Sequence, residues 1–181
     1  MAAPNFPAPR EVYDPQEDSK LLLEKIEGLS GKRACDMGTG SGILAKKLAK
    51  SFAQVIAVDV NPEAGKVEFP GNVEFVKGNL FSRIAKRENF DLIVFNSPYL
   101  PGYEDRRWSC GEGEVLVEFL KSAEGHLEDD GKILFLISSL TPKIVSATAR
   151  KLYRVEVVGE ARLPGFETLF VLRLCQKKAF P

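Results

Sequence analysis

The stretch Asp36-Met37-Gly38-Thr39-Gly40-Ser41-Gly42 decides the fold. Arg33–Met37 leads into it and reads as a short buried strand. Ile43–Phe52 follows, with Leu44, Leu48 and Phe52 at helical spacing. A strand, a glycine loop and a helix in that order present main-chain N–H groups to a ligand. Glycine allows the sharp turn and lets a bound group approach the backbone. The next strand, Val55–Val60, carries Asp59 nineteen residues past Gly40. An acid at that place accepts hydrogen bonds from both hydroxyls of a ribose. A nicotinamide or flavin site has G-x-G-x-x-G, with its third glycine on the helix. Here the spacing is G-x-G-x-G and Asp36 leads it, a poor setting for a pyrophosphate. The pattern suits a nucleoside ligand with a cationic amino group and no phosphate.

Working outward, Asn61-Pro62 opens a short helix with proline in its first turn. Val73–Lys77, Phe90–Asn96 and Lys132–Ser138 read as strands. Helices are predicted from about Glu112 to Leu127 and over Pro142–Leu152. Upstream, Asp18-Ser19 caps a helix with Leu22, Ile26 and Leu29 on one side. Val155–Val158 and Leu169–Leu174 are β-rich and joined through Leu163-Pro164-Gly165, a turn. Strands alternating with helices imply an α/β fold, a mainly parallel sheet covered on both faces. The short final connector implies a hairpin, so one of the seven strands is antiparallel. Residues 1–16 hold Pro4, Pro7, Pro9 and Pro15 and read as an extended arm. Residues 17–181 form the domain.

Composition removes several chemistries. The 25 Lys and Arg balance 25 Asp and Glu, without the basic excess of a protein that lives on phosphate contacts. The three cysteines, Cys35, Cys110 and Cys175, are widely spaced, so neither a zinc ribbon nor a redox pair is written. No metal site is expected. His126 is the single histidine, late in a predicted helix, and reads as a surface residue rather than a catalyst. No apolar run approaches the ~20 residues of a membrane helix. The N-terminus lacks the basic and apolar segments of a signal peptide. A cytoplasmic protein is expected.

Asn96-Ser97-Pro98-Tyr99 ends the fourth strand. Ligands of open α/β sheets bind beyond the carboxyl ends of the strands, so this tetrapeptide shares a rim with Gly38–Gly42 and Asp59. The glycine motif resembles that of S-adenosylmethionine-dependent methyltransferases with a Rossmann-like fold. The tetrapeptide resembles their N-P-P-Y signature for planar nitrogens, with Ser97 where proline is usual. Such a nitrogen is a poor nucleophile, because its lone pair is delocalised. The Asn96 side-chain oxygen and the Ser97 carbonyl can hold its two N–H bonds and orient it. Tyr99 can stack on the planar group.

Val12-Tyr13-Asp14-Pro15-Gln16-Glu17-Asp18-Ser19 followed by Leu21-Leu22-Leu23, and Trp108-Ser109-Cys110-Gly111-Glu112-Gly113, complete the pattern. They resemble the short eukaryotic and archaeal branch of the HemK-type glutamine N5-methyltransferases, which modifies class I release factors. The resemblance implies a Rossmann-like methyltransferase fold and S-adenosylmethionine as cofactor. It places Tyr13, Pro15, Ser19, Asp36, Gly38, Gly40, Asp59, Val60, Asn79, Leu80 and Asn96 at the cofactor. Asn79 stands where an aspartate is common. Asn96, Ser97, Pro98 and Tyr99 fall at the target nitrogen. The implied substrate is a glutamine in the Gly-Gly-Gln loop of a class I release factor. The alternatives are a nucleic-acid adenine N6-methyltransferase and a protein-lysine methyltransferase. The resemblance also implies a small zinc-binding activator subunit at an edge strand, Val73–Lys77, where Val73 and Phe75 share a face behind Phe69.

Overall fold

A computed structural model describes residues 17–97 and 113–177. Seven strands form one sheet: β1 (Gly31–Met37), β2 (Phe52–Asp59), β3 (Val73–Lys77), β4 (Phe90–Asn96), β5 (Leu127–Ser138), β6 (Tyr153–Arg162) and β7 (Thr168–Gln176). Their order is β3-β2-β1-β4-β5-β7-β6. The pairs among β1 to β5 are parallel, and β7 runs antiparallel to both β5 and β6. The expected hairpin is present, and its second strand lies inside the sheet while β6 takes the edge.

Alternation along the central strands sorts side chains to two layers. Cys35, Met37, Ile93, Phe95, Ile133 and Phe135 face α3 (Glu114–Ala123) and α4 (Lys143–Leu152). There Phe119 lies 4.5 Å from Phe95 and 5.5 Å from Phe135, centroid to centroid. Ala34, Val55, Ala57, Leu92, Val94 and Leu134 face α1 (Glu17–Ile26) and α2 (Ile43–Leu48). Such two-faced burial is why β4 reads as a nearly continuous apolar run.

Helix ends differ from the periodicity. α2 stops at Leu48, because Phe52 already belongs to β2 and pairs with Gly31. A helix face and the inward face of the next strand share one spacing there. α3 stops at Ala123, a 3-10 turn spans Glu124–His126, and Leu127 pairs with Phe90 at the start of β5. His126 is a core residue instead of a surface one. Its ring stacks on Phe81 at 4.5 Å, and Nδ1–H donates to the Glu88 carbonyl at 2.9 Å.

β3 is an edge strand, as expected. Phe75 is half-buried and stacks on Phe69 at 6.4 Å, so its apolar face is covered from within the chain. What the edge offers outward is backbone. The Val55 N–H donates to the Asn72 carbonyl and the Gly78 N–H to that of Asp59. By strand alternation Glu74 and Val76 also turn their main-chain groups to β2, leaving those of Phe75 and Lys77 directed away from it.

Candidate active site

The carboxyl ends of β1, β2 and β4 meet along one rim. Three glycines make the loop after β1 possible: Gly38, Gly40 and Gly42 have φ of 66°, 51° and 75°, the left-handed region that disfavours a Cβ. At Gly42 a Cβ would also stand 2.6 Å from the Phe69 ring. The Thr39 N–H donates to the Val58 carbonyl of β2 at 2.9 Å, which fixes the loop across both strands.

Asp36 is the last residue but one of β1 and is 1% exposed. Its Oδ2 accepts from Thr39 Oγ1 at 2.7 Å and from the Ala45 N–H of α2 at 2.9 Å. Its Oδ1 is buried with no partner. Burial pushes the carboxyl up to about 7 against these two bonds, and the charge of Asp59 adds to the rise. Asp59 ends β2. Its Oδ2 accepts the Gly40 N–H at 2.9 Å and its Oδ1 the Asn61 N–H at 2.8 Å. Burial raises its carboxyl too, offset by those main-chain bonds. Among the described residues no ion pair involves either acid.

Val60 follows Asp59 and is 37% exposed, an apolar surface beside the acid. Asn79 and Leu80 follow β3. The Asn79 N–H donates to Ser82 Oγ, and Leu80 is buried with φ 49°. A left-handed leucine is a strained arrangement of the kind found at ligand sites. Across the sheet, β4 ends in Asn96, whose Nδ2 donates to Ser19 Oγ in the first turn of α1 at 3.4 Å. Asn96 Oδ1 is buried and unpaired. Ser97 is buried, and its hydroxyl donates to the Leu136 carbonyl of β5. Tyr13, Pro15, Pro98 and Tyr99 lie outside the described residues, as does the Trp108–Glu112 stretch.

Sequence reading missed Thr39, which holds the Asp36 carboxylate. The available signal was a hydroxyl three residues after an acid in a tight loop, the spacing of a local side-chain bond. The orphaned Asp36 oxygen fits the cationic amino group of S-adenosylmethionine. Asp59, with ribose-accepting capacity left on each oxygen, fits its hydroxyls. Val60 and Leu80 fit the flat faces of a base.

The methyltransferase small domain family model matches residues 13–163. A Methanocaldococcus jannaschii protein, provisionally named a protein N5-glutamine methyltransferase, is 32% identical over 90% of this chain and 90% of its own length. Human methyltransferase HEMK2 is 30% identical over 96% of this chain and 98% of its own. The E. cuniculi Mtq2-Trm112 complex, responsible for methylating the eRF1 translation termination factor, contains a similar chain. That chain has 26% identity and a TM-score of 0.73, with 92% of this chain and 99% of that one covered. The family match over residues 13–163, together with these relatives, assigns the chain: it belongs to the methyltransferase small domain family and is an enzyme that uses S-adenosylmethionine as methyl donor.

Proposed function

We propose that this chain methylates the side-chain amide nitrogen of a glutamine, in the Gly-Gly-Gln loop of a class I translation release factor. The observation that carries the reading is Asn96 Oδ1, a buried acceptor without a partner at the end of β4. An unmet buried acceptor is costly unless a ligand donates to it. A primary amide offers two N–H groups in one plane. Asn96 Oδ1 takes one and the Ser97 carbonyl the other, so the lone pair points out of that plane. As the nitrogen gains positive charge, both bonds strengthen, which lowers the barrier more than it tightens binding. When bound, S-adenosylmethionine supplies an electrophilic methyl group on a sulfonium. In this reading Asp36 and Asp59 are committed to the donor's amino group and ribose, so the nitrogen's displaced proton leaves to water.

The names of the archaeal and E. cuniculi relatives support the glutamine and the termination factor. The Trm112 partner of the E. cuniculi chain supports a small activator subunit here. We place that subunit, a zinc-binding one, on the β3 edge, where Phe75 and Lys77 offer main-chain groups for an added strand. The working compartment is the cytoplasm; no helix among the described residues is long and apolar enough to cross a membrane.

Mass spectrometry of a release factor incubated with the chain, an activator and labelled donor tests the reading. One methyl on the Gly-Gly-Gln glutamine is the expected result. Label appearing on an adenine or a lysine instead would overturn it.

A further inference from the structure

We infer that two serines clamp Asn96: Ser97 ties the reactive turn to β5, and Ser19 turns the carboxamide so that its oxygen faces the cleft. Asn96 is the last residue of β4 and pairs with Leu136 of β5. A side chain at a strand end keeps its backbone direction from the ladder, but its carboxamide is free to swing unless something holds it. One contact holds the carboxamide, and a second holds the turn that follows it. Asn96 Nδ2 donates to Ser19 Oγ, which spends the donor end of the amide on α1. The acceptor end, Oδ1, is left buried and without a partner. Ser19 is itself fixed: it is 2% exposed, and its backbone N–H is taken by the Asp18 carboxylate.

The second contact concerns the departure at position 97. A proline there would stiffen the turn by locking its own φ. Serine surrenders that stiffness and returns it differently, because its hydroxyl donates to the Leu136 carbonyl. That carbonyl belongs to the residue paired with Asn96, so the latch closes on the strand neighbour of the reactive residue. Ser97 is buried, so water does not compete for the bond. Ser19 and Ser97 are therefore positioning residues, and α1 serves the target side of the site as well as the core. The clamp rests on the reading of Asn96 as acceptor for a planar nitrogen, whichever molecule bears it.

Nuclear magnetic resonance of the 15N-labelled, cofactor-free chain reads the clamp without catalysis. The Asn96 side-chain NH2 protons exchange with solvent slowly in the wild type, about tenfold faster in Ser19→Ala, and slowly again in Ser19→Thr. Single-turnover rates at saturating donor fall roughly tenfold in Ser19→Ala and Ser97→Ala, the loss from a loosened acceptor. Donor affinity by calorimetry stays within about twofold in Ser97→Ala, as uncoupled sites require, and falls in Ser19→Ala, because Ser19 stands among the residues placed at the cofactor. Ser97→Pro recovers at least half of the rate lost in Ser97→Ala. A Ser19→Ala chain with a full saturated rate would leave Ser19 a cofactor contact alone and overturn its positioning role. A Ser97→Pro chain as slow as Ser97→Ala would show that stiffness is not what the hydroxyl supplies. If the wild type methylates no glutamine, the substrate reading fails, while the exchange rates still decide the clamp.

Discussion

Asp36 gives the site a pH signature. The folded chain holds a proton on this carboxyl up to about pH 7, whereas an unfolded aspartate releases it near its ordinary value of 3.8. Between those values the native state binds more protons, so rising pH lowers the stability of the cofactor-free chain across that window and leaves it at its low plateau above. Asp36→Asn should flatten this slope, measured as melting temperature against pH. Binding a cationic amino group requires the ionised carboxyl. Donor affinity should therefore weaken below pH 7, by up to about tenfold per unit, and constant affinity from pH 5.5 to 8 would refute the role. Asn96→Ala should behave in the opposite way, with donor affinity nearly unchanged and a single-turnover rate lower by roughly 10²-fold or more. These two residues were legible because each lies at the carboxyl end of a strand, within a motif. Thr39 and His126 were not. The partner of one is set by a loop turning back on itself. The other is buried by Phe81, forty-five positions away in the chain and brought close only by tertiary packing.

At the scale of elements, patterning located every strand and helix, and chain ends of elements were where it slipped. Phe52 and Leu127 each continue a helical spacing yet begin a strand, since pairing with Gly31 and Phe90 outweighs a local period. One long-range contact anchors the two central strands at the end opposite the site. Asp91 Oδ2 accepts the N–H groups of both Lys32 and Arg33 at 2.8 Å. Nothing in the sequence marks Asp91 for this, because the acceptor and its donors lie on different strands. Asp91→Ala should lower stability by about 1.5–3 kcal/mol, the range for bonds to a charged acceptor. A drop in the urea midpoint at constant slope, with donor affinity retained, is the expected reading. An unchanged midpoint would show that water replaces the carboxylate at no cost.

Across the whole molecule, the two sheet edges are unequal. β6 is broken by a register shift between Val157 and Gly159, which disrupts an added ladder, while β3 is regular. Lys77→Pro removes a main-chain donor directed away from β2 and should abolish co-purification of the activator while the chain stays folded. Val76→Pro removes a donor directed into the sheet and should instead lower the melting temperature. A Lys77→Pro chain that still retains the activator would move the interface elsewhere.

β1 and β4 are neighbours in space, yet β2 and β3 intervene in the chain. The acids and glycines proposed to recognise the donor are therefore encoded ahead of Phe90, and the turn proposed to meet the target nitrogen is encoded behind it. The two duties join along a single seam, where Asp36 stands opposite Val94, two residues before Asn96. This is a modular division of labour. A graft cut just before Phe90 exchanges the acceptor specificity of the enzyme and leaves its donor grip in place, provided the incoming half accepts Ser19 as the stitch across the seam.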